Sequence, residues 1–122
     1  MKAWQADVVK SCLTLESQRQ LAAAQLPADR APTVEELMVF LQNFEPNFSE
    51  FETNLKSLDR PAGQDSKIDE MESATESYRI ALHESSTNVA AAQVELAADG
   101  QTPESARLEA AFADMGLQKC NE

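Results

Sequence analysis

Apolar residues return every three or four positions along most of this chain, the spacing of one face of an α-helix. In the first segment, about residues 3–26, Trp4, Val8, Cys12, Leu15, Ala22 and Leu26 fall on one stripe. Arg19 interrupts it, and a long cationic side chain can lie along apolar surface with its head in water. Leu26 precedes Pro27, and the residue before a proline avoids the helical region, so this helix is expected to end there. The joint that follows has proline at both ends, Pro27 and Pro32.

Thr33-Val34-Glu35-Glu36 reads as a capping box that opens a second helix. Leu37, Leu41, Phe44, Phe48, Phe51, Leu55 and Leu58 then alternate spacings of four and three. Pro46 lies inside this run. An interior proline costs about 3 kcal/mol and kinks or breaks a helix, yet the apolar phase passes through it unchanged. The pattern predicts one long helix kinked at Pro46, bent near residues 43–45, or two collinear helices sharing a face. The run Leu37-Met38-Val39-Phe40-Leu41 is apolar on all sides and is expected to be covered on two of them.

Ser66, with Asp69 three residues on, is read as the cap of a third segment. Ile68, Met71, Thr75, Tyr78, Leu82, Ser85, Val89, Ala92 and Leu96 keep the same alternation. This predicts the longest helix, ending near Ala98, with a soft centre where Ser85, Ser86, Thr87 and Asn88 succeed one another. Thr102 and Pro103 supply an N-cap and a first-turn proline for a fourth helix. Leu108, Ala111, Phe112 and Met115 face inward there, Gly116 is the left-handed C-cap and Leu117 folds back after it. A helix this short is marginal alone and needs packing. The expected fold is all-α: a single-domain four-helix bundle over residues 1–122, with short joints that favour antiparallel neighbours.

Charge narrows the function classes. The net charge is −11 and the isoelectric point about 4.4, a field that repels phosphate backbones and anionic headgroups, so no nucleic-acid partner is expected. No apolar run approaches the ~20 residues of a transmembrane span. The opening Met1-Lys2-Ala3-Trp4-Gln5-Ala6-Asp7 has no apolar core of a secretory leader, so an exported chain would have its targeting segment outside this sequence.

Little in the chain points to catalysis. His83 is the only histidine. The residue three before it is Ile80, so the Glu-x-x-His of di-iron bundles is missing. One histidine and no placed serine elbow assemble no nucleophile–base–orienter set. The acidic pairs Glu35/Glu36 and Asp69/Glu70 sit in first helical turns, where they offset the helix dipole. Nothing calls for a metal or a cofactor. Phe44, Phe48 and Phe51 read as core, but Val39 and Phe40 point away from the main stripe. Val39, Phe40, Phe44 and Phe48 are therefore the candidate lining of a groove, or a seam for a homodimer.

Cys12 and Cys120 are the only cysteines. Either they form a disulfide between the first helix and the tail, or they are two unrelated thiols. Their even count and the position of Cys120 just after an ordered cap favour the bridge, and with it an oxidising compartment.

An early Cys12, a proline-kinked apolar second helix, a long third helix and a closing Met115-Gly-Leu-Gln-Lys-Cys120 together resemble the small secreted proteins and lipoproteins of actinobacteria. These are helical bundles, often ending in Gly-Leu-x-x-Cys. The resemblance implies a cell-envelope location and little mechanism. The expected function is thus a non-enzymatic extracytoplasmic domain that binds a protein partner or small apolar ligand. The alternative is an acidic cytosolic adaptor or chaperone-like dimer, whose thiols would be free.

Overall fold

The computed structural model describes residues 1–121. Five α-helices and one 3-10 turn build it: α1 (Lys2–Ala23), α2 (Val34–Ser57), α3 (Asp65–Thr87), α4 (Val89–Ala98), α5 (Pro103–Asp114) and a closing turn, Gln118–Asn121. The stripes face one another. Trp4, Val8 and Cys12 of α1, Leu41, Phe44, Phe48, Phe51 and Leu55 of α2, Ile68, Met71, Ala74 and Leu82 of α3, and Leu108, Ala111 and Phe112 of α5 form one buried core.

Local chemistry sets the boundaries. Thr33 and Glu36 make the capping box of α2: the Thr33 hydroxyl accepts from the Glu36 amide, and the Glu36 carboxylate accepts from the Thr33 amide. One helix passes through Pro46. Pro46 and Gln42, whose carbonyl loses its donor, are both exposed, so water can satisfy the freed acceptor while the phenylalanines pack on the opposite face. The end of α5 is a Schellman cap, as the sequence predicts. The Leu117 amide donates to the Phe112 carbonyl and the Gly116 amide to that of Ala113, with Gly116 at φ 73° and Leu117 buried at 1% exposure.

Three expectations need correction. The helix α1 ends at Ala23, not at Leu26; Gln25 and Leu26 continue in turns to the carbonyls of Ala22 and Ala23. The helix α3 starts at Asp65 behind Gln64, without a side-chain cap from Ser66. The Asp69 carboxylate instead faces Arg60 at 2.7 Å, and Arg60 also reaches Asp65 and Glu72. The long third helix is two helices broken at Asn88. Hydroxyls of Ser86 and Thr87 take the His83 carbonyl, and Asn88 turns extended and caps α4 by accepting from the Ala91 amide. Such short polar side chains compete with the helical ladder. The phase shifts at the break, so Val89 is 54% exposed while Ala92 is buried. In the run 37–41, Leu41 is buried, Leu37 and Phe40 pack against the core and Val39 is 51% exposed.

The neighbours form an incomplete ring. The helix α2 packs against α1, α3 and α4, and α3 packs against α4 and α5. No Cα of α1 comes within 8 Å of a Cα of α5. The closing turn touches both and bridges them. Polar clamps between the helices add to this packing. Glu52, nearly buried on α2, holds Arg79 of α3 through both carboxylate oxygens at 3.1–3.2 Å. Arg107 of α5 reaches Glu70, Ser73 and Ser77 along α3. Gln5 of α1 donates to the Met115 carbonyl at 2.8 Å.

Candidate functional site

The open side of the ring is a groove of about 440 Å³ between α1 and α5. Its α1 wall is Leu13, Leu15, Glu16, Arg19 and Gln20; its α5 wall is Ser105, Leu108, Glu109 and Phe112. Phe44, Phe48 and Phe51 of α2 and Tyr78 of α3 make the floor. The aromatic rings touch in series. Phe48 lies 4.9 Å from Tyr78 and 5.6 Å from Phe51, and Phe51 meets Phe112 edge-on at 6.4 Å. Such tilted contacts are the favoured geometry for aromatic pairs and hold the floor in one shape.

A covalent link stands at one end. Cys12 and Cys120 are joined as a disulfide across 108 positions of sequence, with Cα atoms 5.3 Å apart. Both cysteines line the groove, as do Lys119 and Asn121 of the closing turn. The far end is formed by Gln20, Ser105 and Gly100. Gln5 meets Met115 at the end of α5, and Cys12, further along α1, is tied to a closing turn whose Asn121 reaches back to the Glu109 carbonyl, so α1 and α5 run antiparallel along the two walls.

The rim is polar but balanced. Glu16 and Glu109 bring two carboxylates, Arg19 and Lys119 two cations. Arg19 donates to both oxygens of Glu16, at 2.9 and 2.6 Å. That hydrogen bonding holds the Glu16 carboxyl below its ordinary range and raises Arg19. Burial pushes the Tyr78 phenol up, Glu95 and Glu109 push the same way, and Arg19 opposes them. Tyr78 therefore stays a neutral hydroxyl, able to donate or accept one hydrogen bond at the floor.

The residues singled out from the sequence separate here. Phe44 and Phe48 are in the floor. Phe40 stacks on Phe44 at 5.9 Å and lies outside the lining. Val39 is exposed and also outside it. His83 lies outside the lining and is exposed, with Nδ1 2.6 Å from the Glu45 carboxylate of α2. Sequence reasoning missed Leu15, Arg19, Tyr78, Leu108 and Phe112 as lining residues. Their only signal was membership of the apolar stripes, which core residues share, and for Arg19 the interruption of a stripe. Among the described residues no group of three His, Cys, Asp or Glu side chains is placed to hold a metal ion, and no helix is long and apolar enough to cross a membrane. Comparison with protein-family models, with curated proteins and with solved structures finds no match for this chain.

Proposed function

We propose that this chain is a non-enzymatic extracytoplasmic domain that binds an apolar ligand in the groove between α1 and α5. The observation that carries the reading is the open side of the ring: two helices held apart above an aromatic floor, spanned by a disulfide at one end. Its volume of about 440 Å³ falls within the range of small-molecule sites, which are mostly apolar with a few placed polar groups. The disulfide supports an oxidising compartment, in keeping with the resemblance to secreted actinobacterial proteins and unlike a cytosolic adaptor with free thiols.

Titration with N-phenyl-1-naphthylamine, an uncharged probe that brightens in apolar surroundings, tests the site. Saturable binding of one probe per chain is expected, with loss of binding in Glu109→Trp, which sets an indole across the mouth without removing a core residue. Failure of the probe to saturate, or equal binding by the variant, refutes the groove. Compartment is tested separately by alkylating the protein as it is released from its native cells: blocked thiols are expected, and two alkylated cysteines would return the cytosolic alternative.

A further inference from the structure

The helix α4 is held more loosely than its neighbours. Of its ten residues only Ala92 is buried; Ala91, Glu95 and Leu96 are half-buried and complete the docked face, while Val89, Gln93, Val94 and Ala97 are exposed. A helix this short is marginal without packing. Both of its ends can swing. Asn88 is extended, at φ −127° and ψ 118°, and Asp99 and Gly100 are left-handed, at φ 52° and 77°. Residues at the ends of an element absorb the backbone rotation when that element moves.

Glu95 is the one charged residue of α4, and it stands on the docked face. It borders a cavity of about 20 Å³ with Tyr78, Leu82 and Ser85 of α3, Leu41 of α2 and Thr102, the N-cap of α5. A space of that size holds about one water, too little to hydrate a carboxylate. Among the described residues no cation and no hydrogen-bond donor supports its charge. Glu52, on the buried face of α2, is by contrast held through both oxygens by Arg79. A carboxyl withdrawn from water without such a partner favours its neutral form, which can donate to the hydroxyls around the cavity.

We propose that α4 is a pH-sensitive flap, hinged at Asn88 and at Asp99–Gly100, that docks firmly on α2 and α3 when Glu95 is protonated and loosens when Glu95 is ionised. The groups facing Glu95 from the other elements work in the same direction. Burial, and then the like charge of Glu104 in the first turn of α5, push its carboxyl above the ordinary 4.5. From α3 comes the Tyr78 phenol, which burial and Glu95 itself push up. From α2 the cavity receives only Leu41. Glu45 of α2 pairs with His83 of α3 at 2.6 Å and accepts from Ser86, two residues before the hinge, and Glu84 of α3 is exposed. A carboxyl raised in the docked state leaves docking undiminished below pH 4.5 and weakens it as pH rises through the raised value. Glu16 and Glu70, lowered by their arginines, act with the opposite sign.

Hydrogen exchange of the intact, disulfide-bonded chain from about pH 4.5 to 7.5, each rate taken relative to the unstructured peptide at the same pH, tests the flap. Protection of the α4 amides should fall by at least about twofold as pH rises, while α3 amides around Met71 and Ala74 hold or gain protection. In Glu95→Gln, which keeps the size and removes the charge, α4 should stay at the parent's acid level or above it at every pH. His83→Gln separates the other titrating pair near the hinge and should leave the parent's dependence in place. A dependence that survives in Glu95→Gln, or is lost in His83→Gln, would move the control to the His83–Glu45 pair and overturn the assignment. Protection of α4 that does not change with pH in the parent would overturn the flap itself.

Discussion

At the scale of single residues, the ends of helices carry much of the definition, and Glu36 does two jobs there. Its carboxylate accepts from the Thr33 amide at 2.9 Å and from the Arg30 guanidinium at 2.7 and 3.0 Å. Hydrogen bonding from Arg30, then from the Thr33 backbone, lowers its pKa from 4.5 to about 2. A carboxyl depressed on folding stabilises the native state above its unfolded pKa, and the contribution fades as pH falls through the folded value. For Glu36 that window is pH 4.5 down to 2. Glu36→Gln keeps an acceptor at N3 for the capping box but removes the charge. Urea unfolding between pH 6 and pH 2.5 should then show a shallower acid loss of stability than the parent. Some slope should remain, because Arg19 and Arg107 lower Glu16 and Glu70 in the same way. Parallel curves would show that the Arg30 pair does not report on folding.

At the scale of elements, the break at Asn88 separates what a sequence shows from what it hides. Asn88→Ala should cost about 1 kcal/mol. It should lower the urea midpoint without changing the slope, and hydrogen exchange should accelerate in α4 before α3. An unchanged midpoint would mean that packing of Ala92 alone defines α4. The apolar stripes were legible because a buried helix face must repeat every three to four residues, and Phe44, Phe48 and Phe51 read as core on that ground. The caps at Thr33, Thr102 and Gly116 were legible because each answers a backbone need with a particular side chain. The break was visible only as softness. Whether Ser86 and Thr87 bond the His83 carbonyl or solvent depends on the neighbours they meet, and the spacing of Val89 suggested continuity. The groove was less legible still. Periodicity says that Tyr78 and Phe112 face inward, but not that α1 and α5 stand apart in front of them. Phe44 and Phe48 could be suspected as lining. Val39 and Phe40 point off the stripe and lie outside the lining, which takes its aromatic residues from the stripes.

At the scale of the whole molecule, one bond compensates for a missing interface. The helix α1 is held to the ring by α2 along one flank only. On the other flank its attachments are the Gln5–Met115 hydrogen bond, the closing turn and the Cys12–Cys120 bridge. A cross-link spanning 108 positions restricts the unfolded chain strongly, by about 4–5 kcal/mol in loop-closure entropy. The paired substitution Cys12→Ala and Cys120→Ala should remove a stabilisation of that order, read as a lower urea midpoint. The loss should not be uniform. The helices α2, α3 and α5 remain joined through Ile68, Met71, Phe51 and Phe112 and through the Arg79 and Arg107 clamps, so their amides should stay protected. Those of α1 should exchange early, as expected for an element attached along one side. Binding of an apolar probe should weaken in the same variant, since the wall carrying Leu15 and Arg19 would no longer be fixed opposite Leu108. If α1 kept its protection and the groove its affinity, the packing of Trp4 and Val8 against the core would be sufficient to hold the wall, and the bridge would serve the stability of the chain alone.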